Sequence, residues 1–209
     1  MLFRSSYDTL AQVNPRLIYG SLSGFGQTGP YASRRAFDII VQGMGGIMSI
    51  TGEPGRPPVR VGAAIGDMGA GLFTAIGILG ALQARERTGV GQQVDVGMLD
   101  CQVALLEYAV IRYTTSGEVP GPLGTRHPWI TPFEVFEAKD GPIVLGVGTK
   151  HWTRFCDKLG LSALADDPRF ATNALRTTHY EELRPTLAEI MKTKGVSVQI
   201  GRASCRERV

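Results

Sequence analysis

Val59–Gly89 reads VRVGAAIGDMGAGLFTAIGILGALQARERTG, and the reading of this stretch decides the fold. Val59 to Gly66 is an apolar run with β-branched residues, which predicts a strand leading into a turn. Asp67 stands at that turn. Met68 to Arg87 follows as a long run of Ala, Leu, Ile and Gly, which predicts a helix. Arg85 and Arg87 suit its C-terminal end, and Gly89 suits its stop. Strand, turn and helix in that order make half of an α/β unit. Gly69, Ala70, Gly71, Ala75 and Gly77 leave the helix bare enough for another segment to lie close against it.

The flanks extend the pattern. Arg16–Leu22 is a β-type run after the Asn14-Pro15 breaker, and Gln92–Val96 is a second. Between them, Ala36–Ile50 has helical spacing through Phe37, Ile40, Val41, Met44, Ile47 and Met48, although Gly43, Gly45 and Gly46 burden its interior. Asp100–Tyr113 predicts another helix, with Cys101, Ala104, Leu105, Tyr108 and Ile111 on one side. After Gly117 the character changes. Thr131–Glu137 and Pro142–Val147 are β-like runs around Ala138-Lys139-Asp140-Gly141, a hairpin signal. Helical segments follow near Lys150–Leu159 and His179–Lys192, with a turn at Asp166–Phe170. The expected layout is an α/β part over residues 1–115, a linker and loop over 116–130, a smaller α+β part over 131–200, and a tail over 201–209. The first part begins in mid-pattern and the second stops short of a convincing core. The chain therefore reads as the interior of something longer.

Composition narrows the class. The 209 residues are 43% hydrophobic and 20% charged, near the soluble globular average, which excludes disorder, collagen and a disulfide scaffold. Charges or glycines break every apolar run before about 18 residues, so no membrane span is expected. The start MLFRSSYD lacks the apolar core of an export signal, so nothing in it suggests export. A net charge of +3 is too small to argue for nucleic acid. Much of it sits in Gly201–Val209, GRASCRERV, which has neither apolar period nor helix stop and reads as an artefact. Cys101, Cys156 and Cys205 fit no zinc or redox spacing, and their odd number argues against a disulfide framework. They read as small buried hydrophobes in a reducing compartment, and a cytoplasmic or mitochondrial-matrix location is expected.

The sharpest candidate is Asp67 within GDMGAG. One reading makes it a helix cap, worth about 1 kcal/mol. The other makes it a carboxylate nucleophile, with glycines clearing its approach and a helix N-terminus stabilising its charge. The Gly24–Gly29 loop follows a strand but matches neither the dinucleotide nor the P-loop pattern, so a plain turn is expected. Arg34-Arg35 reads as a solvated basic pair or a phosphate grip. His127, before a proline in a loop, reads first as a hydrogen-bonded structural residue. His151 and His179 look like surface or capping residues. No histidine pair has metal-ligand spacing, and no metal is expected.

Taken together, NPRLIYGSLSGFGQTGP, AFDIIVQGMGGIMSITG, VGAAIGDMGAGLFTAIGILGALQARERTGVGQQVDVGMLD and LGTRHPWITPFEVFEAKDGPIVLGVG resemble the family III CoA-transferases, the carnitine/bile-acid-inducible type, over residues 7–195. The resemblance implies a partial Rossmann-like large domain followed by an incomplete small domain. It implies transfer of CoA from an acyl-CoA to a carboxylic acid through an anhydride and a thioester on Asp67, with Met68 and Gly69 amides as oxyanion donors. Coenzyme A enters as substrate and no permanently bound cofactor is expected. Arg35 and Phe37 match CoA-contacting positions. Gly124 and His127 fall in a loop that covers the active site in relatives, although here it reads TRHP rather than a run of glycines. Family members are about twice this length and form interlocked homodimers, so these residues alone are expected to be inactive. The related α-methylacyl-CoA racemases use a histidine where this sequence has Phe37, which cannot exchange a proton. That departure favours transfer over racemisation. A non-catalytic CoA-binding fragment is the alternative from another class. The HPWITPFEVFEAKDG stretch looks most like members handling dicarboxylic acids.

Overall fold

A computed structural model describes residues 6–195 and the backbone of Ser204–Cys205. The chain divides into two compact units, Met1–Pro122 and Leu123–Val209. The remaining residues of the 201–209 tail, and the side chain of Cys205, lie outside the described residues.

The first unit opens with α1, Tyr7–Val13, whose first turn is capped by Ser6. Strand β1, Tyr19–Ser23, pairs in parallel with β2, Gln93–Gly97, in the register Tyr19↔Gln93 to Ser23↔Gly97. The long connection between them holds α2, Asp38–Met44, a 3-10 turn at Ile47–Ile50, and α3, Ile65–Thr88. A crossover of this length is what parallel pairing requires. After β2 come α4, Met98–Leu105, and α5, Tyr108–Ser116.

Three expectations change here. Val59–Gly66 joins neither sheet: the Val61 amide donates to the side chain of Gln42 (2.9 Å) instead of to a neighbouring strand, and α3 already begins at Ile65. The helix expected over Ala36–Ile50 is interrupted where Gly46 takes φ +89°, a conformation glycine accepts readily. The helix expected over Asp100–Tyr113 breaks at Glu107, a non-glycine residue at φ +49°. The far end of α3 follows expectation, with Gly89 at φ +75° donating to the Arg85 carbonyl (2.8 Å).

Helix α3 also corrects the reading of apolar runs. No charged residue lies between Asp67 and Arg85, because the interruptions there are glycines. By length and composition alone the helix could cross a membrane, with a mean hydropathy of 1.6. Its inner side is tightly packed. A Cβ on Gly77 would meet Val94 Cγ1 at 2.6 Å, and one on Gly69 would meet Leu105 Cδ1 at 2.9 Å. These two glycines therefore make the close approach to β2 and α4, whereas Gly71 faces open space. The outer side carries Leu72, Ile76 and Leu79, between 64% and 66% exposed. The buried core of this unit is Val41, Ala70, Met98 and Cys101.

The second unit begins with the hairpin of β3, Phe133–Ala138, and β4, Gly141–Val147, in which Ala138↔Gly141 closes a two-residue loop. Cys205 and Ser204 pair with Gly146 and Val147 on the free side of β4. Helices α6, Trp152–Leu159, α7, Ser162–Ala165, α8, Asn173–Thr178, and α9, Tyr180–Lys192, follow. Contrary to the expected thin core, this unit buries Phe136, Ile143, Leu145, Trp152, Phe155, Leu159, Phe170, Leu183, Leu187 and Met191 together. The last three recur every four residues on α9, and each contributes about 1.5–3 kcal/mol by burial. Arg176 on α8 is fully buried, donating to the carbonyls of Thr131 and Phe170 (both 2.9 Å), with its guanidinium 4.6 Å from the Trp152 ring. Cys101 and Cys156 are free and buried. Burial pushes the Cys156 thiol up to about 12, so it stays protonated and unreactive at neutral pH.

Candidate active site

Asp67 is the third residue of α3 and is exposed to solvent. The residue before the helix is Ala64, which has no side chain able to cap it. The cap comes from another element. Asp38, the first residue of α2, accepts the Gly66 amide on Oδ1 (2.8 Å) and the Gln42 side-chain amide on Oδ2 (2.7 Å). Gln42 in turn accepts the Val61 amide (2.9 Å). Gln102 on α4 donates to the Ile65 carbonyl (3.3 Å). Both glutamines are fully buried. The capping duty that the sequence offers to Asp67 thus belongs to Asp38, and Asp67 stands free of it.

The turn is tight because Gly66 has no side chain. A Cβ there would lie 2.7 Å from Val41 Cγ2 and 2.9 Å from Asp38 Oδ1. Val41 is itself fully buried and cannot swing away. Gly66→Ala is therefore expected to destabilise this unit by about 2 kcal/mol, the usual range for forced overpacking. A hydrogen-exchange experiment that found unchanged protection in α2 and the first turn of α3 would contradict this.

The first-turn amides are largely engaged. Ile65 donates to Ala63 O (2.8 Å), Gly66 to Asp38, and Met68 to Ala64 O (2.9 Å). An oxyanion at the Met68 amide would have to share it with that helical bond. The first turn of a 24-residue helix nevertheless favours negative charge at Asp67 through the aligned peptide dipoles.

Phe37 immediately precedes α2 and is 77% exposed. Ile40 and Met44 continue its side of the helix and are also exposed. Arg35 is exposed, while Arg34 lies 4.0 Å over the Tyr31 ring. The Gly24–Gly29 loop packs on Ala36 at Gly24, and the Gln27 amide donates to Asp95 Oδ2 (2.8 Å). A carboxylate already holds the amide that a phosphate would need, which fits a turn.

Gly124 and His127 belong to the second unit. Gly124 sits at φ +61°. His127 Nδ1 accepts the amides of Trp129 (3.2 Å) and Ile130 (3.1 Å), and its ring lies 5.3 Å from that of Phe133. With Nδ1 accepting, the ring proton belongs on Nε2. This is the structural histidine that its setting before Pro128 suggests. Nearby, Arg126 stacks 3.4 Å over the ring of Tyr180, whose hydroxyl donates to Glu134 (3.0 Å) and is pushed by burial up to about 12. His179 pairs with Glu182 (2.9 Å) at the start of α9. Among the described residues, no three metal-ligating side chains converge.

Asp38, Gln42 and Gln102 escape a reading of the sequence as apolar helices. The available signal is the spacing of Asp38 and Gln42, four apart in AFDIIVQG, which places two polar groups on one side of an otherwise apolar helix.

Comparison with known proteins identifies the family. A family model for CoA-transferase family III matches residues 3–200. The acetyl-CoA:oxalate CoA-transferase of Acetobacter aceti is 46% identical over 188 residues, 89% of this chain and 48% of that protein. The succinate–glutarate CoA-transferase of Agrobacterium fabrum is 45% identical over 183 residues, 87% of this chain and 46% of that protein. A crystal structure of a CAIB/BAIF family protein from Brucella suis is 40% identical, with a TM-score of 0.76 over 91% of this chain and 50% of that one. The chain thus spans about half the length of the curated relatives it matches.

Proposed function

The chain belongs to CoA-transferase family III, and from that premise we propose that the complete protein moves CoA from an acyl-CoA to a carboxylic acid, with Asp67 as nucleophile. The observation that carries this is an exposed carboxylate in the first turn of a long helix, beside glycines and relieved of capping by Asp38.

The chemistry balances without a net proton. The Asp67 carboxylate attacks the thioester carbonyl, the C–S bond breaks, and CoA leaves as thiolate. The product is a mixed anhydride. The thiolate attacks the aspartyl carbon of that anhydride, releasing the donor acid as carboxylate and leaving an aspartyl-CoA thioester. The acceptor carboxylate attacks this thioester and expels the thiolate again. The thiolate then attacks the acceptor's carbonyl, forms the new acyl-CoA and restores Asp67. Dipoles of α3 stabilise the charge that develops on oxygen, and the amides near Met68 and Gly69 assist, that of Met68 being shared with the Ala64 carbonyl.

Arg35 is assigned to CoA phosphate and Phe37 to the CoA channel. The loop with Gly124 and His127 is assigned to covering the site. The parallel β1–β2 pair is read as part of a Rossmann-like sheet, and the exposed stripe on α3 supports burial in a homodimer. The acceptor is proposed to be a dicarboxylate, in keeping with the oxalate and glutarate named for the two relatives above. These 209 residues alone are expected to be inactive, and a cytoplasmic location is proposed.

Racemisation is disfavoured because Phe37 offers no proton. The decisive experiment treats the complete protein with acyl-CoA and hydroxylamine and then maps peptides by mass spectrometry. A hydroxamate at Asp67, dependent on acyl-CoA, is expected. Recovery of an unmodified Asp67 peptide throughout would overturn the covalent mechanism and leave a CoA-binding protein.

A further inference from the structure

We propose that Asp38 and Gln42 are positioning residues for acyl transfer, acting as one hydrogen-bonded pair that sets the attitude of the Asp67 turn. The inference rests on Asp67 being the nucleophile and goes beyond it by naming what aims it.

The pair forms a continuous chain of bonds across three segments. The Val61 amide donates to Gln42, Gln42 donates to Asp38, and the Gly66 amide donates to Asp38. The segment leading into α3 and the first turn of α3 are thereby tied to one helix at points flanking Ala64. Gly66 is the residue immediately before Asp67, so the bond it makes fixes the peptide from which the nucleophile projects. The steric fit reinforces this, since even a methyl group on Gly66 would collide with Val41 and Asp38. Gln42 is fully buried, so water cannot easily replace a lost partner.

The donor and acceptor pattern is directional. Asp38 must accept twice, and Gln42 must donate to Asp38 while accepting from Val61. Asp38→Asn puts an amide where the Gln42 amide also donates. Gln42→Glu sets two carboxylates face to face. Making both changes together restores every bond with the same total charge. The asparagine accepts from Gly66 and donates to the glutamate, whose other oxygen accepts from Val61.

This gives a test in the complete protein, run beside Asp67→Asn. Each single variant is expected to lose about a hundredfold in kcat, the scale of a roughly 1 Å misplacement, with KM for acyl-CoA little changed. The double variant is expected to recover to within about threefold of the starting enzyme, a coupling that independent sites do not show. Melting temperatures are measured alongside, and kcat is referred to the folded fraction. Single variants that keep full kcat, or a double variant that stays as slow as the singles, would overturn the positioning role. If Asp67→Asn retains activity, the nucleophile reading itself fails. If Asp67→Asn is inactive while Asp38→Asn is not, only the positioning inference falls.

Discussion

Asp67→Asn in the complete protein is expected to lower kcat for CoA transfer by about a thousandfold or more, the usual consequence of removing a nucleophile. Asparagine keeps the size of the side chain but cannot form an anhydride with an acyl group. The change should leave the fold intact, because the residue is exposed and the helix start is capped by Asp38. Circular dichroism and melting temperature should match the unmodified protein while turnover collapses. A folded variant retaining a tenth or more of its activity would remove Asp67 from the chemistry.

The largest stability effect is expected at Arg176 in the second unit. Its guanidinium is fully buried, yet its partners are two backbone carbonyls, those of Thr131 and Phe170. Burial holds its pKa below the ordinary arginine value. Arg176→Ala strands both carbonyls and opens a cavity beside Trp152, at an expected cost of about 4 kcal/mol. Arg176→Met fills the space but still leaves the carbonyls unpaired, and about 2 kcal/mol is expected. Both tryptophans of the chain, Trp129 and Trp152, lie in this unit, so tryptophan fluorescence during denaturation reads it selectively. A midpoint for Arg176→Ala within about 1 kcal/mol of the original would show that the buried cation contributes little.

Much of the fold is legible from periodicity. α6 and α9 fall within the runs that their apolar spacing marks, and β1, β2, β3 and β4 each overrun theirs by one residue. The failures have two causes, a deciding partner remote in sequence and a backbone reversal inside good spacing. Val59–Ala64 has strand composition, but its Val61 amide is taken by Gln42, and no local pattern reveals a side chain that stands in for a strand. The interruptions at Gly46 and Glu107 lie inside good helical spacing, and spacing carries no information about a reversal of φ. The thin core expected after Leu123 underestimates how completely α9 closes over the hairpin. At the site, Asp67 stands out because glycines surround it, whereas Asp38 and Gln42 hide within an apolar helix and declare themselves only through bonds to distant amides.

The loan of a cap from α2 to α3 has an evolutionary corollary. Under the proposed mechanism structural duty and chemical duty fall on different carboxylates, so a lineage that loses Asp67 does not thereby lose its architecture. Descendants lacking Asp67 should therefore accumulate as well-formed proteins without the proposed transfer chemistry.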